Sequence, residues 1–135
     1  MADGEIMRRS YRELLVWQKA KGLAVDVYKH TEHFSKTETY GLTSQIRRAA
    51  VSVVSNIAEG QGRLTQGEFQ QFLGHSRGSL LELDTQLAIA RVLGYLDKES
   101  HQMLDQRPYQ VLGLLNRPLD SLRNLNRVNP ETLKP

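Results

Sequence analysis

Cysteine is absent from the 135 residues, so neither disulfides nor cysteine-ligated zinc or iron–sulfur can hold the fold together, and helix packing must do so. Long apolar runs are missing as well. The opening MADGEIMRRSYRELL has nothing like a signal peptide, and the richest later stretch, Ala49 to Ile57, is broken by serines and far too short to span a bilayer. The expected compartment is therefore the cytoplasm, without a membrane. Neither sign of charge dominates: the net charge is +3 and the pI near 9.3, enough to tolerate a polyanion but too little to demand one. Residues 1 to 60 hold nine Lys/Arg against seven Asp/Glu and the remainder nine against eight, so no basic tail exists. No β alternation appears anywhere along the chain.

What is present is helical periodicity. Trp17, Ala20, Ala24, Val27, Tyr28, Thr31 and Phe34 recur at three- and four-residue intervals and predict a first helix over about 13–34. The polar connector SKTETYG follows. A second helix over about 42–60 presents Leu42, Ile46, Ala49, Ala50, Val53 and Ile57 on one face, and Gly60 and Gly62 are read as its stop. Thr65 and Glu68 form a capping-box pattern that starts a third helix over about 66–94, ~40 Å long at about 1.5 Å per residue. Its seam is Phe69, Phe72, Leu73, Ser76, Leu80, Leu83, Leu87 and Ala90, and Gly94-Tyr95 breaks it. Asp97 caps a fourth segment over about 97–124, with Leu96 before it as a staple residue. That last seam reads Leu104, Pro108, Val111, Leu115, Pro118, Leu122, Leu125. Because an interior proline removes an amide donor and clashes with the preceding turn, a kink or break is expected near Pro108 or Pro118. Four segments joined by short connectors predict one all-α domain over 1–135. Its architecture is an antiparallel up-and-down four-helix bundle with a core of about 11–125 and frayed termini.

The second helix carries the most information. Beyond its core face it presents Val51, Val54, Ser52 and Ser55, so it is apolar or small most of the way round. Such a helix is buried on two faces: either a second copy covers Val51, Val54 and Ser55, making a homo-oligomer, or the helix is central within a compact monomer.

Chemistry-bearing motifs are sparse. His30-x-x-His33 lies on one helical face, but a di-iron bundle needs Glu-x-x-His pairs and this chain has none, so no metal or other cofactor is expected and both histidines read as surface residues. His75 and His101 are isolated. Gly60-Gln-Gly62-Arg63-Leu64-Thr65 lacks the preceding strand, the third glycine and the Gly-Lys-Ser/Thr of phosphate loops, and reads as a helix end and turn. No nucleophile motif is present, so no catalytic residue is assigned. The best cationic set is Arg47, Arg48, Arg63 and Arg77, whose forked donors suit phosphate oxygens; equally, Arg47 or Arg63 could pair with Glu59 or Glu82 to fix helices. Asn56 and Glu59 read as a buried hydrogen-bonded network, and Arg107, Arg117, Arg123 and Arg127 as a solvated face.

The run Ser44-Gln-Ile-Arg-Arg-Ala-Ala-Val-Ser-Val-Val-Ser-Asn-Ile-Ala-Glu-Gly60 carries a resemblance. It is continued by Gly62-Arg63, Glu68-Phe69, Phe72-Leu73, Gly78-Ser-Leu80, Glu82-Leu83, Thr85-Gln-Leu87 and Leu93-Gly-Tyr-Leu96. Together with the opening Leu15-Val-Trp-Gln-Lys-Ala20 it resembles the four-helix bundle family whose founding members are encoded inside intervening sequences of bacterial large-subunit ribosomal RNA genes, over roughly residues 11 to 125. Relatives include the accessory variability proteins of diversity-generating retroelements, homopentamers that contact nucleic acid and a reverse transcriptase. The resemblance implies a pentamer and no catalysis. Two departures stand out. Val54 occupies a position where the family often has proline, and Pro108 and Pro118 lie where its last helix is usually free of proline.

The resulting expectation is a non-enzymatic, bacterial, cytoplasmic homo-oligomer that binds RNA or DNA phosphates through Arg47, Arg48, Arg63 and Arg77, with little sequence preference because no base-reading motif or stacking platform is present. The rival expectation is a protein-interaction scaffold for a polymerase or reverse transcriptase, with no direct nucleic-acid contact.

Overall fold

A computed structural model describes residues 11–38 and 41–118. Among these residues the chain forms five α-helices and no β-strand: α1 (Leu15–His30), α2 (Leu42–Gln61), α3 (Gln66–Val92), α4 (Lys98–Leu104) and α5 (Arg107–Leu115), with a short 3-10 turn at Lys36–Glu38 before α2. The fold class is all-α, as the periodicity predicts.

Helix boundaries follow local chemistry. α1 stops four residues short of the expected Phe34; just past its end the Thr31 hydroxyl donates back to the carbonyls of Val27 and Tyr28, at 2.8 and 3.3 Å. Phe34 is still buried, tilted against Tyr95 with ring centroids 5.6 Å apart. The core side of α1 is Val16, Ala20, Leu23, Ala24 and Val27, whereas Tyr28, placed on the sequence stripe, is exposed. α2 runs unbroken through Val54, without the kink that a proline there would bring. α3 starts where the Thr65 side chain accepts from the Glu68 amide. It ends in a left-handed turn at Gly94, φ 80°, where the Tyr95 amide reaches back to the Ala90 carbonyl at 2.9 Å and the Gly94 amide to that of Arg91 at 3.0 Å, the pattern of a glycine-closed helix end.

The expected fourth helix is two helices. α4 ends at Leu104, and α5 begins at Arg107 with Pro108 in its first turn, where a missing amide costs nothing because no intrahelical acceptor faces it. Leu104, Pro108, Val111 and Leu115 are buried as the seam predicts. Pro118 is exposed beyond the end of α5; Leu122 and Leu125 lie outside the described residues.

α2 packs most extensively on α3 and also on α1, while α5 lies against both α1 and α3, and α4 against α1. These pairings close around one core in which Leu23, Ile46, Ile57, Phe69, Leu80, Leu83, Leu104 and Leu115 are almost fully buried. Each such side chain contributes about 1.5–3 kcal/mol.

The α2–α3 seam is made of small residues. Ser76 donates to the Val53 carbonyl at 2.8 Å, Ser52 and Ser79 share a hydrogen bond of 2.8 Å, and Asn56 donates to the Ser52 carbonyl and hydroxyl. Gly60 corrects the reading of it as a stop: it lies inside α2 and is buried. A β-carbon there would sit 2.8 Å from Cβ of Phe72 and 3.3 Å from the Phe69 carbonyl oxygen. The residue is glycine because α3 crosses too closely for a side chain.

Three measurements check this account. Gly60→Ala is expected to destabilise the fold by about 1–3 kcal/mol through overpacking, whereas Gly113→Ala in α5, where an added β-carbon meets nothing within 4 Å, should stabilise by roughly 0.5–1 kcal/mol; equal melting temperatures for the two variants would refute the close crossing. The Asp97 carboxyl, which caps α4, is held below its ordinary value of 3.8, first by the Ser100 amide, then by the Ser100 hydroxyl and the nearby His30 and His33. Its contribution is therefore present above pH ~3.8 and lost as pH falls through the lowered folded value. Asp97→Asn should flatten the acid limb of melting temperature against pH.

Candidate nucleic-acid interface

The four arginines singled out in the sequence do not share one site. Arg47 and Arg48 sit near the start of α2, Arg63 just past its end, so about 1.5 Å of rise per residue separates the pair from Arg63 by roughly 24 Å. Arg63 is exposed, its guanidinium lying over the Phe72 ring at 4.5 Å.

Arg77 has a structural task. Its Nε donates to Asn116 Oδ1 at 2.9 Å and its terminal nitrogen to the Leu115 carbonyl at 3.3 Å, so it closes the carboxyl end of α5, where a cation is favoured by the free carbonyls. Arg107, expected on a solvated face, is half-buried and ion-paired with Asp26, which locks α5 to α1. Arg117 is exposed; Arg123 and Arg127 lie outside the described residues.

Arg47 and Arg48 divide the work between them. Arg47 is pinned: Nε donates to the Thr31 hydroxyl at 2.9 Å, a terminal nitrogen donates to the Tyr28 carbonyl at 3.2 Å, and the guanidinium stacks over the Tyr28 ring at 4.6 Å. Two of its five donors are thereby used. Neither Arg47 nor Arg63 pairs with Glu59 or Glu82. Arg48 is exposed. Both line an open cleft of about 490 Å³ between the end of α1 and the start of α2, together with Lys36, Thr43 and Ser44. Sequence reasoning missed these last three. The connector containing Lys36 read only as a turn, and its 3-10 turn is what brings the lysine beside α2.

The expected assembly residues also converge. Val51 is 43% exposed, Val54 is half-buried and Ser55 exposed, and with Ala24, Val25 and Tyr28 they line an apolar groove of about 390 Å³ between α1 and α2. Tyr28 and Glu32 border both hollows, so the apolar groove and the cationic cleft adjoin. A second apolar stripe, which the sequence reading missed, lies along α3 and just past its end, where Leu81, Ile89, Val92 and Leu93 are exposed.

Other sequence readings resolve individually. Asn56 is hydrogen-bonded within the α2–α3 seam, but Glu59 is exposed and takes no part in a buried network. His30 is not a plain surface residue: Nδ1 pairs with the Ser100 hydroxyl at 2.8 Å and joins α1 to α4, while His33 is exposed. Among the described residues no group of three His, Asp or Glu side chains is placed to hold a metal ion, and no helix is long and apolar enough to cross a membrane. Gly60 and Gln61 belong to α2, so the glycine-containing stretch is a helix end and turn.

A family model described as 23S rRNA-intervening sequence protein matches residues 12–117. No curated protein matches the chain.

The division of labour among the arginines can be read by calorimetry. Arg77→Ala and Arg107→Ala are each expected to lower stability by about 1–3 kcal/mol, the worth of hydrogen bonds to a charged group, whereas Arg48→Ala should leave the melting temperature within a degree or so, as surface substitutions do. A large loss of stability in Arg48→Ala, or none in Arg77→Ala, would reverse the assignment.

Proposed function

The chain belongs to the 23S rRNA-intervening sequence protein family, and from that premise we propose that it is a non-enzymatic, ring-forming helical oligomer that binds RNA or DNA through phosphates with little sequence preference. The observation that carries the reading is the adjacency of the apolar α1–α2 groove and the cationic cleft at Arg47 and Arg48, which share Tyr28 and Glu32. A second copy seated in the groove would lie beside the cleft, and each further copy would repeat the cleft around the assembly.

The bundle geometry is proposed as antiparallel and up-and-down. Residues pair in opposite order along α2 and α3, with Ser52 on Ser79, Val53 on Ser76 and Gly60 on Phe69 and Phe72. Along α3 and α5 the order is likewise opposed, with Arg77 on Asn116 and Leu80 near Pro108.

Two unlike apolar faces support a ring. The groove at Val51, Val54 and Ser55 and the α3 stripe at Leu81, Ile89 and Val92 lie on different helices, and a contact between unlike faces is head-to-tail, which closes into a ring when the rotation per copy allows. The pentamer is taken from resemblance to the intervening-sequence proteins. Closure multiplies the +3 charge of each copy and repeats Arg48 around the particle, so contacts that are weak singly act together.

Light scattering is expected to give a closed oligomer for the wild type. Val54→Glu should yield folded monomer, because burying an unpaired charge at such a contact costs several kcal/mol; a wild-type monomer at working concentrations would end the ring proposal. Fluorescence anisotropy with single-stranded RNA and DNA should show affinity falling steeply with salt, by about 0.7 log units per log unit of salt for each phosphate neutralised. Arg48→Ala should flatten that slope equally for all sequences. Undetectable binding at low salt would replace this reading with that of a scaffold for another polypeptide.

A further inference from the structure

We propose that the cleft at the start of α2 is a built phosphate-binding site, in which the Thr43 and Ser44 hydroxyls, Arg47, Arg48 and Lys36 receive one phosphate group of a nucleic-acid strand. The proposal deepens the nucleic-acid reading and rests on it for the source of the phosphate.

The first observation is an unpartnered donor. Thr43 is only 7% exposed, lines the cleft, and its hydroxyl oxygen has no hydrogen-bond partner among the described residues. A buried hydroxyl is normally satisfied, and an exception calls for something that satisfies it. The hydroxyl oxygen is turned inward in this structure; threonine in a helix divides between two side-chain rotamers, and the proposal requires the other one, with the hydroxyl turned to the cleft, when phosphate is bound.

The second observation is the chemistry around it. Thr43 and Ser44 lie in the first turn of α2, a helix of 20 residues, whose amino-terminal end carries partial positive charge. Lys36, Arg47 and Arg48 add three cations, against the single carboxylate of Glu32. The donors are two hydroxyls, an ammonium and two guanidinium groups, and tetrahedral phosphate offers acceptor oxygens on every side to meet them. Arg47 is held in place by Thr31 and Tyr28, which also line the cleft, so less of its freedom is lost on binding. Glu38, the other nearby carboxylate, accepts from the Leu42 amide at 3.1 Å and so already meets one free amide of this helix end, which leaves the hydroxyls and the three cations as the main donors to phosphate. The cleft is open and about 490 Å³ in volume, which admits a phosphate that remains attached to a chain.

The site differs from diffuse attraction in being local and saturable. Inorganic phosphate, titrated at constant ionic strength against chloride, should shift the backbone amide resonances of Thr43 and Ser44 to a plateau in the oligomer as it exists in solution. Thr43→Val, which keeps the shape and removes the hydroxyl, should weaken both this phosphate binding and single-stranded RNA binding by about tenfold or more. It should leave the melting temperature unchanged or raise it, since an unsatisfied donor has been removed. A structural threonine would instead lose stability and leave phosphate affinity alone, which would overturn the proposal. Salt-dependent RNA binding with no phosphate plateau and no effect of Thr43→Val overturns the cleft while the nucleic-acid reading stands. A phosphate plateau without RNA binding upholds the cleft and overturns the nucleic-acid source. Absence of both ends both.

Discussion

The close crossing of α2 and α3 at Gly60 is the constraint on which the remaining geometry depends. With a β-carbon's worth of space denied to residue 60, the two helices meet backbone to side chain, and the Ser76 hydroxyl can reach the Val53 carbonyl. That register fixes which face of α2 turns inward. Ile46, Ala49, Ala50, Val53 and Ile57 are buried against the core. Arg48, Val51 and Ser55 are left outside in consequence, and both the cationic cleft and the apolar groove descend from that single rotational setting.

Much of this was legible in the residues, because helical periodicity reports burial directly. The core face of α2 read from spacing matches the buried apolar set apart from Leu42, which is half-buried, and it lacked the buried Thr43, Gly60 and Gln61; the α3 seam matches apart from Phe72, half-buried beside Gly60, and the buried Gln86. The Thr65 and Asp97 caps were legible because a side-chain oxygen placed before an apolar run has one common use at that position. Gly60 was misread because glycine serves equally as a helix terminator and as a point of close approach, and only a neighbouring helix distinguishes the two. The site was less legible than the fold. Arg47, Arg48, Arg63 and Arg77 look alike in sequence, yet one is pinned on Tyr28, one exposed, one laid over Phe72 and one clamped on the end of α5. Which role each takes depends on hydroxyls, carbonyls and rings contributed by residues 9 to 39 positions away, separations that no local pattern encodes.

Arginine in this chain therefore does three jobs with one functional group. At Arg77 the fork satisfies acceptors at the end of α5, and at Arg107 the guanidinium pairs with the Asp26 carboxylate within α1, each joining neighbouring helices, where a lysine's point charge would hold only part of the geometry. At Arg47 the same fork positions itself and leaves donors over. At Arg48 the guanidinium is presented to solvent. A net charge of +3 conceals this distribution, since the cations committed to packing contribute little to capturing an anion at the surface.

The two-residue joint between α4 and α5 has a consequence of its own. α4 has seven residues, well below the length at which a helix persists alone in water, and its order is borrowed from the Asp97 cap, the His30–Ser100 link and the burial of Leu104. Asp105 and Gln106, by contrast, are exposed. The joint is thus a seam between a helix that depends on its neighbours and one clamped at its far end by Arg77. It is the natural address for a spectroscopic label, an inserted tag or a circularly permuted terminus, because a cut or added loop there crosses neither the tightly packed helix pair nor the cleft.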